Sequence, residues 1–463
     1  MKKLGKVISE LTPEDYSAIE ARLQQNNAEK FLALLRAYHN GSGPESIMPE
    51  LGISSGALYV MKSRLYDRIQ THLSGNIFLS SDEVLLKLHE IPDICSRQPR
   101  GIAVAFLLKL EEELLHLDMH NELVLVYSAL KKMNLFNDSY FQYSQAYNRH
   151  IAYNLSIEKS EEIQGSFVRL LRQYDFSRDQ QHLDKLLFLK NEIAQHYALH
   201  QSRQIRIIRN LMDAQVSLFC QAAAQAPVVD ELLEQCCTLI AELPESSPLR
   251  RWMPAVIYLR FEDAIRRELY HAASEYYNRL LESREHLMLS SNVLACSFFP
   301  VSEQVFCRVM GKDLPDPASL KSDPADTHAQ VQTRYAAALR HLFGGNFREA
   351  SRELNHILNE HALRAEFHVT LEIRLLLIYL NIRLKDFDLA ANQLRNISRK
   401  VKSDHPGYRN VLHLFNAFTM LIRNKGAKSE ETAEQFILFD ARNSGAIQVL
   451  RAVMPEIRKQ YLT

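Results

Sequence analysis

The chain has 463 residues, and 55 Lys and Arg balance 55 Asp and Glu, so it carries no net charge and no global electrostatic footprint for nucleic acid or an anionic membrane. Only 14 glycines and 15 prolines punctuate a sequence that is 46% hydrophobic, which disfavours Gly-rich phosphate loops and hairpin-rich β folds and favours helix throughout. The six cysteines form no C-x-x-C pairs and show no regular spacing, which argues against a disulfide framework and for a reduced compartment.

The first helix is expected from Thr12, a cap followed by Pro13 and the acidic pair Glu14 and Asp15. Tyr16, Ile19 and Leu23 fall on one stripe, and Phe31, Leu34, Leu35 and Tyr38 repeat the pattern in a second helix over 28–38. "HNGSGP" ends that helix, a short helix spans 45–51, and the turn at Gly52 leads into a long helix from Ser54 or Ser55 to about Leu73. Leu58, Met61, Leu65 and Ile69 form its apolar stripe, and "SGN" at 74–76 closes a helical module over residues 1–76. The N-terminus has no apolar signal-peptide core, and runs such as Leu375–Leu380 fall far short of the ~20 residues a membrane span needs. A cytoplasmic protein with no membrane contact is therefore expected.

A capping box, Ser80-x-x-Glu83, opens a second region over 77–310 that reads as nearly continuous amphipathic helix joined by short polar turns. Gly311–His328 has three prolines and no periodicity, the pattern of a linker loop, and residues 329–463 follow as a third region. No stretch alternates with period two for long enough to demand a sheet, so the fold class is all-α.

Two segments of the third region share a frame. "YAAALRHLFGGNFREASRELNHILN" places Ala338 in a first helix, Gly345-Asn346-Phe347 at a turn, then Ala350, Leu354 and Ile357. "LEIRLLLIYLNIRLKDFDLAANQLRNISRKV" places Phe387, Ala390, Leu394 and Ile397 in the same register, with Lys385 at the turn glycine and Ile378 at the small crossing residue. This pattern resembles the tetratricopeptide repeat, in which small residues let two helices cross and an aromatic fills the turn. A weaker echo carries Tyr270 and Ala273. The resemblance covers roughly residues 330–400 and implies a solenoid of helical hairpins. Its expected binding surface is a groove lined by Tyr335, Leu339, Leu375 and Tyr379, apolar where a carboxylate clamp would need Lys and Asn, and so suited to a partner helix or an extended apolar segment. The same four side chains could instead pack against a neighbouring layer.

The N-terminal stretch "SIMPELGISSGALYVMKSRLYDRIQ" resembles the helix-turn-helix of region four of bacterial sigma factors. The match rests on Ile47, Leu51, Gly52, Ile53, Ser54, Leu58, Met61, Leu65 and Ile69. It implies possible DNA contact through residues 44–73, with Ser54, Ser55, Tyr59, Lys62, Arg64 and Arg68 as the candidate contacts and the three cations giving the helix a basic side for phosphates. Met48 stands where a small residue is usual, Pro49 interrupts the first helix, and the first turn of the second offers no Arg, Asn or Gln to base edges. Residues 1–76 hold nine Lys and Arg against eight Asp and Glu, a weak balance for a DNA-binding domain.

No phosphate-loop, dinucleotide, nucleophile-elbow or metalloprotease motif occurs, so no catalytic residue, cofactor or metal is expected. The stripes Glu112, His116, His120 and Glu192, His196, His200 run at steps of four, which drift around a straight helix and read as surface or packing histidines, not as ligand sets. Two functions remain open: a non-catalytic scaffold or adaptor that binds protein partners through the repeats, or a transcription-linked regulator whose N-terminal module contacts DNA or the transcription machinery.

Overall fold

A computed structural model describes residues 4, 8, 11, 13–25, 28–40, 44–77, 82–220, 226–245, 247–282, 299–317, 326–360, 363, 366–404, 408, 410–427, 429–443, 453 and 457. Among these, regular structure is helical throughout, as composition and periodicity require. In chain order the α-helices are α1 Pro13–Gln25, α2 Glu29–His39, α3 Pro44–Leu51, α4 Ser55–Ile77, α5 Asp82–Arg97, α6 Arg100–Leu117, α7 His120–Met133, α8 Ser139–Ser177, α9 Gln180–His200 and α10 Arg203–Phe219. They continue as α11 Ala226–Ala241, α12 Met253–Arg266, α13 Tyr270–Glu282, α14 Phe299–Val309, α15 Thr327–Phe343, α16 Phe347–Glu360, α17 Phe367–Arg383, α18 Phe387–Asp404, α19 Val411–Arg423 and α20 Glu430–Asn443. The caps expected at Thr12 and Ser80 lie outside the described residues, as does much of the linker over 311–328.

The chain divides into two compact units, residues 1–114 with 128–140, and residues 115–127 with 141–463. In the first, Ile19 and Leu23 of α1, Leu34 and Leu35 of α2, Ile47 of α3 and Leu58, Leu65 and Ile69 of α4 form one core. These are the stripes read from the sequence. Arg36 donates to Glu20 at 2.7 Å and ties α2 to α1 at the surface. Helix α4 runs through Ser74–Asn76 to Ile77, because a lone glycine near a helix end costs only about 1 kcal/mol and does not terminate it.

The second unit is a succession of helices, consecutive members packing on one another from α9 to α20, with two apolar clusters. One gathers side chains from Ile163 to Cys307, the other mainly from Val331 to Ile457. Its longest element among the described residues, α8, is one helix of 39 residues. Gly165 breaks nothing, and the Ser160 hydroxyl bonds back to the Ser156 carbonyl at 2.7 Å.

Hairpins α12–α13, α15–α16 and α17–α18 share one closure, which also ends α14 at Gly311 and α19 at Lys425. In α15–α16 the amides of Gly344, Gly345 and Asn346 donate to the carbonyls of Arg340, Leu342 and His341. In α17–α18, Leu384, Lys385 and Asp386 donate to Leu380, Ile382 and Asn381. In α12–α13, Arg267, Glu268 and Leu269 donate to Asp263, Ile265 and Ala264. The middle residue of each trio is left-handed, with φ +77° at Gly345, +63° at Lys385 and +58° at Glu268. This is the six-to-one closure of a helix C-terminus, which satisfies carbonyls that would otherwise face nothing. Two residues later comes an aromatic (Phe347, Phe387, Tyr270), and five residues later a fully buried alanine (Ala350, Ala390, Ala273). Ala338, opposite Ala350, is also fully buried, so α15 and α16 approach closely.

Candidate functional site

Helices α3 and α4 form a helix-turn-helix joined at Gly52, whose φ of +61° suits glycine, with the Ile53 amide donating to the Met48 carbonyl at 3.1 Å. The Ser54 hydroxyl accepts from the Ala57 amide at 3.3 Å and caps α4. With Leu58, Leu65 and Ile69 inward, a 100° step per residue turns Gly56, Val60 and Ser63 outward, and all three are exposed. Tyr59 beside them is 68% exposed and Ser55 is exposed.

The expected basic side is not one face. Lys62 lies on one flank of α4, its ammonium 5.2 Å from the Tyr38 ring, while Arg68 lies on the other, its guanidinium 4.4 Å from the Phe31 ring. Arg64 is exposed on the Arg68 side. The three cations therefore straddle an outward strip that carries Gly56, Val60 and Ser63. Helical register sets this split, and on the flanks Lys62 and Arg68 each meet an aromatic ring of α2.

The four side chains expected to line a partner groove are interior. Leu339 and Leu375 are fully buried, Tyr379 is 1% exposed and Tyr335 is 5% exposed, because α15 and α17 are covered by the helices before and after them in the stack. Phe347 and Phe387 are partly buried against the same cluster, which is how the turn aromatics act as plugs.

What Tyr335 faces is a recess that periodicity could not show. It holds about 110 Å³ and is bounded by α8, α12, α14, α15 and α17, at the junction of the two clusters of the second unit. Val301, Val305, Val331 and Val369 provide apolar wall, while Asp175, Glu262, Glu268 and Glu372 bring four carboxylates against Arg266. Arg178 stands behind Asp175. It donates to Asp175 at 3.0 Å and to the Phe219 carbonyl at 2.8 Å.

A buried chain of polar groups holds the rim. Asp175 also meets His328 Nε2 at 3.3 Å and accepts from Gln332 Nε2 at 3.3 Å. His368 Nε2 lies 3.1 Å from Glu372 Oε1 and 3.4 Å from Arg178 Nε, and its Nδ1 lies 2.9 Å from the Tyr408 hydroxyl. Burial works against the Asp175 charge, yet the His328 hydrogen bond and the Arg178 guanidinium outweigh it and hold the carboxyl below its ordinary value. Burial first, and the Glu372 charge second, push the Tyr335 phenol well above its own. The Tyr335 hydroxyl is shielded from solvent and has no hydrogen-bond partner.

A second polar cluster joins His120 and His150, whose Nδ1 atoms are 3.1 Å apart, with Asp118 Oδ1 3.4 Å from His120 Nε2. His150 stacks on Tyr127, ring centroids 5.1 Å apart. Burial chiefly, then the neighbouring His120 and Arg149, pull the His150 pKa down to about 4. Spacing alone placed His120 with Glu112 and His116, whereas the fold pairs it with a residue thirty positions on. Among the described residues no three His, Cys, Asp or Glu side chains converge as a metal set. Burial raises the thiols of Cys220 and Cys236 to about 12, so both are protonated at neutral pH.

No described helix is long and apolar enough to cross a membrane. These features define an all-α protein of stacked helical hairpins with a helix-turn-helix in its first unit. Compared with known proteins, the chain matches no family model, no curated protein and no solved structure.

Proposed function

We propose that the chain is a non-catalytic adaptor of the cytoplasm that docks protein partners, its hairpins being degenerate members of the tetratricopeptide class. The recurrence of aromatic and buried alanine two and five residues after a left-handed closure, at Glu268, Gly345 and Lys385, supports that class. The observation that carries the docking reading is the outer strip of α4. It presents Tyr59 and Val60, 68% and 47% exposed, between flanks whose cations lean on α2. An aromatic and a β-branched side chain on an exposed helix suit a protein surface better than a phosphate backbone. The repeats contribute the scaffold, and the binding surface moves from Tyr335, Leu339, Leu375 and Tyr379 to this strip.

A second reading, a transcription-linked regulator of bacterial type that touches DNA through residues 44–73, draws support from the turn between α3 and α4, with its left-handed Gly52 and the Ser54 cap. One experiment separates the two. Tagged full-length protein is used to recover partners from native lysate with and without nuclease, alongside a Tyr59→Ser, Val60→Asp double variant and a Lys62→Glu, Arg64→Glu, Arg68→Glu triple variant. The adaptor reading expects a discrete protein that survives nuclease and the triple variant but is lost with the double variant. Recovery that collapses with nuclease or charge reversal overturns it in favour of nucleic acid.

A further inference from the structure

The zero charge balance of the whole chain conceals one uneven stretch. Residues 389–429 hold eight Lys and Arg against a single Asp. Four of those cations lie on α18, and helical geometry sorts them. Ala390, Leu394, Ile397 and Val401 are buried and fix the inner side. At 100° per residue the opposite side carries Asn392, Arg395, Asn396, Arg399, Lys402 and Ser403, all exposed. Arg395, Arg399 and Lys402 stand at i, i+4 and i+7, one line of charge about 10 Å long. Lys400 turns to a flank, with Asp404 at its i+4 position.

This line of charge has no internal counterpart. Among the described residues no carboxylate pairs with Arg395, Arg399 or Lys402. None stands three or four positions away along the helix, and Arg395 donates to Asn392, a neutral neighbour on the same face. Helices α17 and α19 pack beside α18 and bring one carboxylate, Glu372, which is buried against His368. Asp388 shares the outer side but lies seven residues, about 10 Å, before Arg395. The helix dipole accounts for a cation in the last turn, Lys402, and not for Arg395 and Arg399 farther back. The hairpin asks for no cation either. Five and nine residues after the buried alanine, α16 has Asn355 and Asn359, and α13 has Asn278 and Glu282.

The make-up of the face selects its partner. None of its six outer side chains is aromatic or aliphatic, and Leu389 is exposed only on a flank at its start. Protein interfaces gather around apolar and aromatic anchors, and single-stranded nucleic acids stack on aromatic rings. A duplex backbone asks for cations and for neutral donors such as Asn and Ser, which set position without reading sequence.

We propose that the outer face of α18 binds the phosphate backbone of a nucleic-acid duplex through Arg395, Arg399 and Lys402. The surface is independent of the adaptor reading, since it belongs to the second unit and asks nothing of α4.

The test is fluorescence anisotropy of labelled DNA and RNA duplexes of mixed sequence, titrated with purified full-length protein. Three phosphate contacts predict saturable DNA binding that weakens about 40-fold between about 50 and 200 mM KCl. The Arg395→Gln, Arg399→Gln, Lys402→Gln variant changes exposed side chains alone, so it should melt with the parent, yet lose at least tenfold in affinity and most of the salt dependence. The Lys62→Glu, Arg64→Glu, Arg68→Glu variant should bind as the parent does. Binding of either duplex supports the proposal, and the tighter of the two tells which source supplies the backbone. Absence of binding to both duplexes, parental affinity in the glutamine variant, or loss of binding in the α4 variant would each overturn it. So would polyglutamate or phosphatidylserine vesicles bound as tightly as the duplexes, which would mean an acidic protein segment or a membrane instead.

Discussion

Acidification should weaken the second unit through a single ring. His150 has its pKa pulled from 6.5 to about 4 by burial and by its neighbours His120 and Arg149. In the unfolded chain the same imidazole titrates near its ordinary value. The folded state thus keeps a neutral ring while the unfolded state gains a proton, and stability is lost as pH falls from about 6.5 toward 4. Above 6.5 both states are neutral and nothing is lost. Integrating between pH 7 and pH 5 with these two values gives about 2 kcal/mol for this group. Residual solvent at the ring edge, 6% exposed, brings the expected figure to about 1–2 kcal/mol. The control is His150→Phe, which preserves a ring against Tyr127 but cannot be protonated. Urea midpoints at the two pH values, compared between parent and variant, cancel every other titrating group to first order. The variant should lose about 1–2 kcal/mol less than the parent on acidification. If both proteins lose the same amount, His150 is as protonated folded as unfolded, and the burial argument fails.

The shared hairpin closure makes opposite predictions at equivalent positions. At Gly345 a Cβ would meet nothing within 4 Å, so Gly345→Ala should cost about 1 kcal/mol through backbone conformation alone, whereas Lys385→Gly, from φ +63°, should gain a few tenths to about 1 kcal/mol; thermal melts read both, and equal signs would refute the equivalence. Ala350→Leu forces a larger side chain into the fully buried crossing of α15 and α16 and should cost about 1–3 kcal/mol in urea unfolding, against almost nothing for Ala337→Leu, whose site is half-buried.

Much of this architecture can be read from period and punctuation. Leu34, Leu35, Leu58, Leu65 and Ile69 were legible because a helix that buries one face must repeat near 3.6 residues, and the alanines of the crossings because only small side chains fit there. Lys385 looked like a departure from the repeat because sequence registers the missing glycine but not the hydrogen bonds. Three amides closing on three carbonyls can hold a lysine left-handed. The groove failed for another reason. Periodicity tells which face of α15 and α17 is apolar, not whether a further layer covers it, and Tyr379 is as deep as any core leucine. The recess was illegible because its polar groups come from helices scattered over two hundred residues, and no local spacing brings Asp175 beside His328 or Arg178 beside His368. The split of Lys62 from Arg64 and Arg68 was legible, since residues two apart on a helix stand 200° apart.

The buried polar chain behind the recess also bears on how this fold is reached. Most contacts in stacked hairpins join neighbours in sequence, and such contacts form early because little chain must be ordered to make them. The links from Asp175 to His328 and Gln332 and from Arg178 to His368 instead close loops of 153, 157 and 190 residues. Loop closure across such spans is entropically dear, and the groups involved gain nothing until their partners arrive together. The two clusters of the second unit are then expected to assemble first and their polar seam last. Stopped-flow refolding would show this as a slow phase that Asp175→Asn alters and Leu58→Ala, in the other unit, leaves alone.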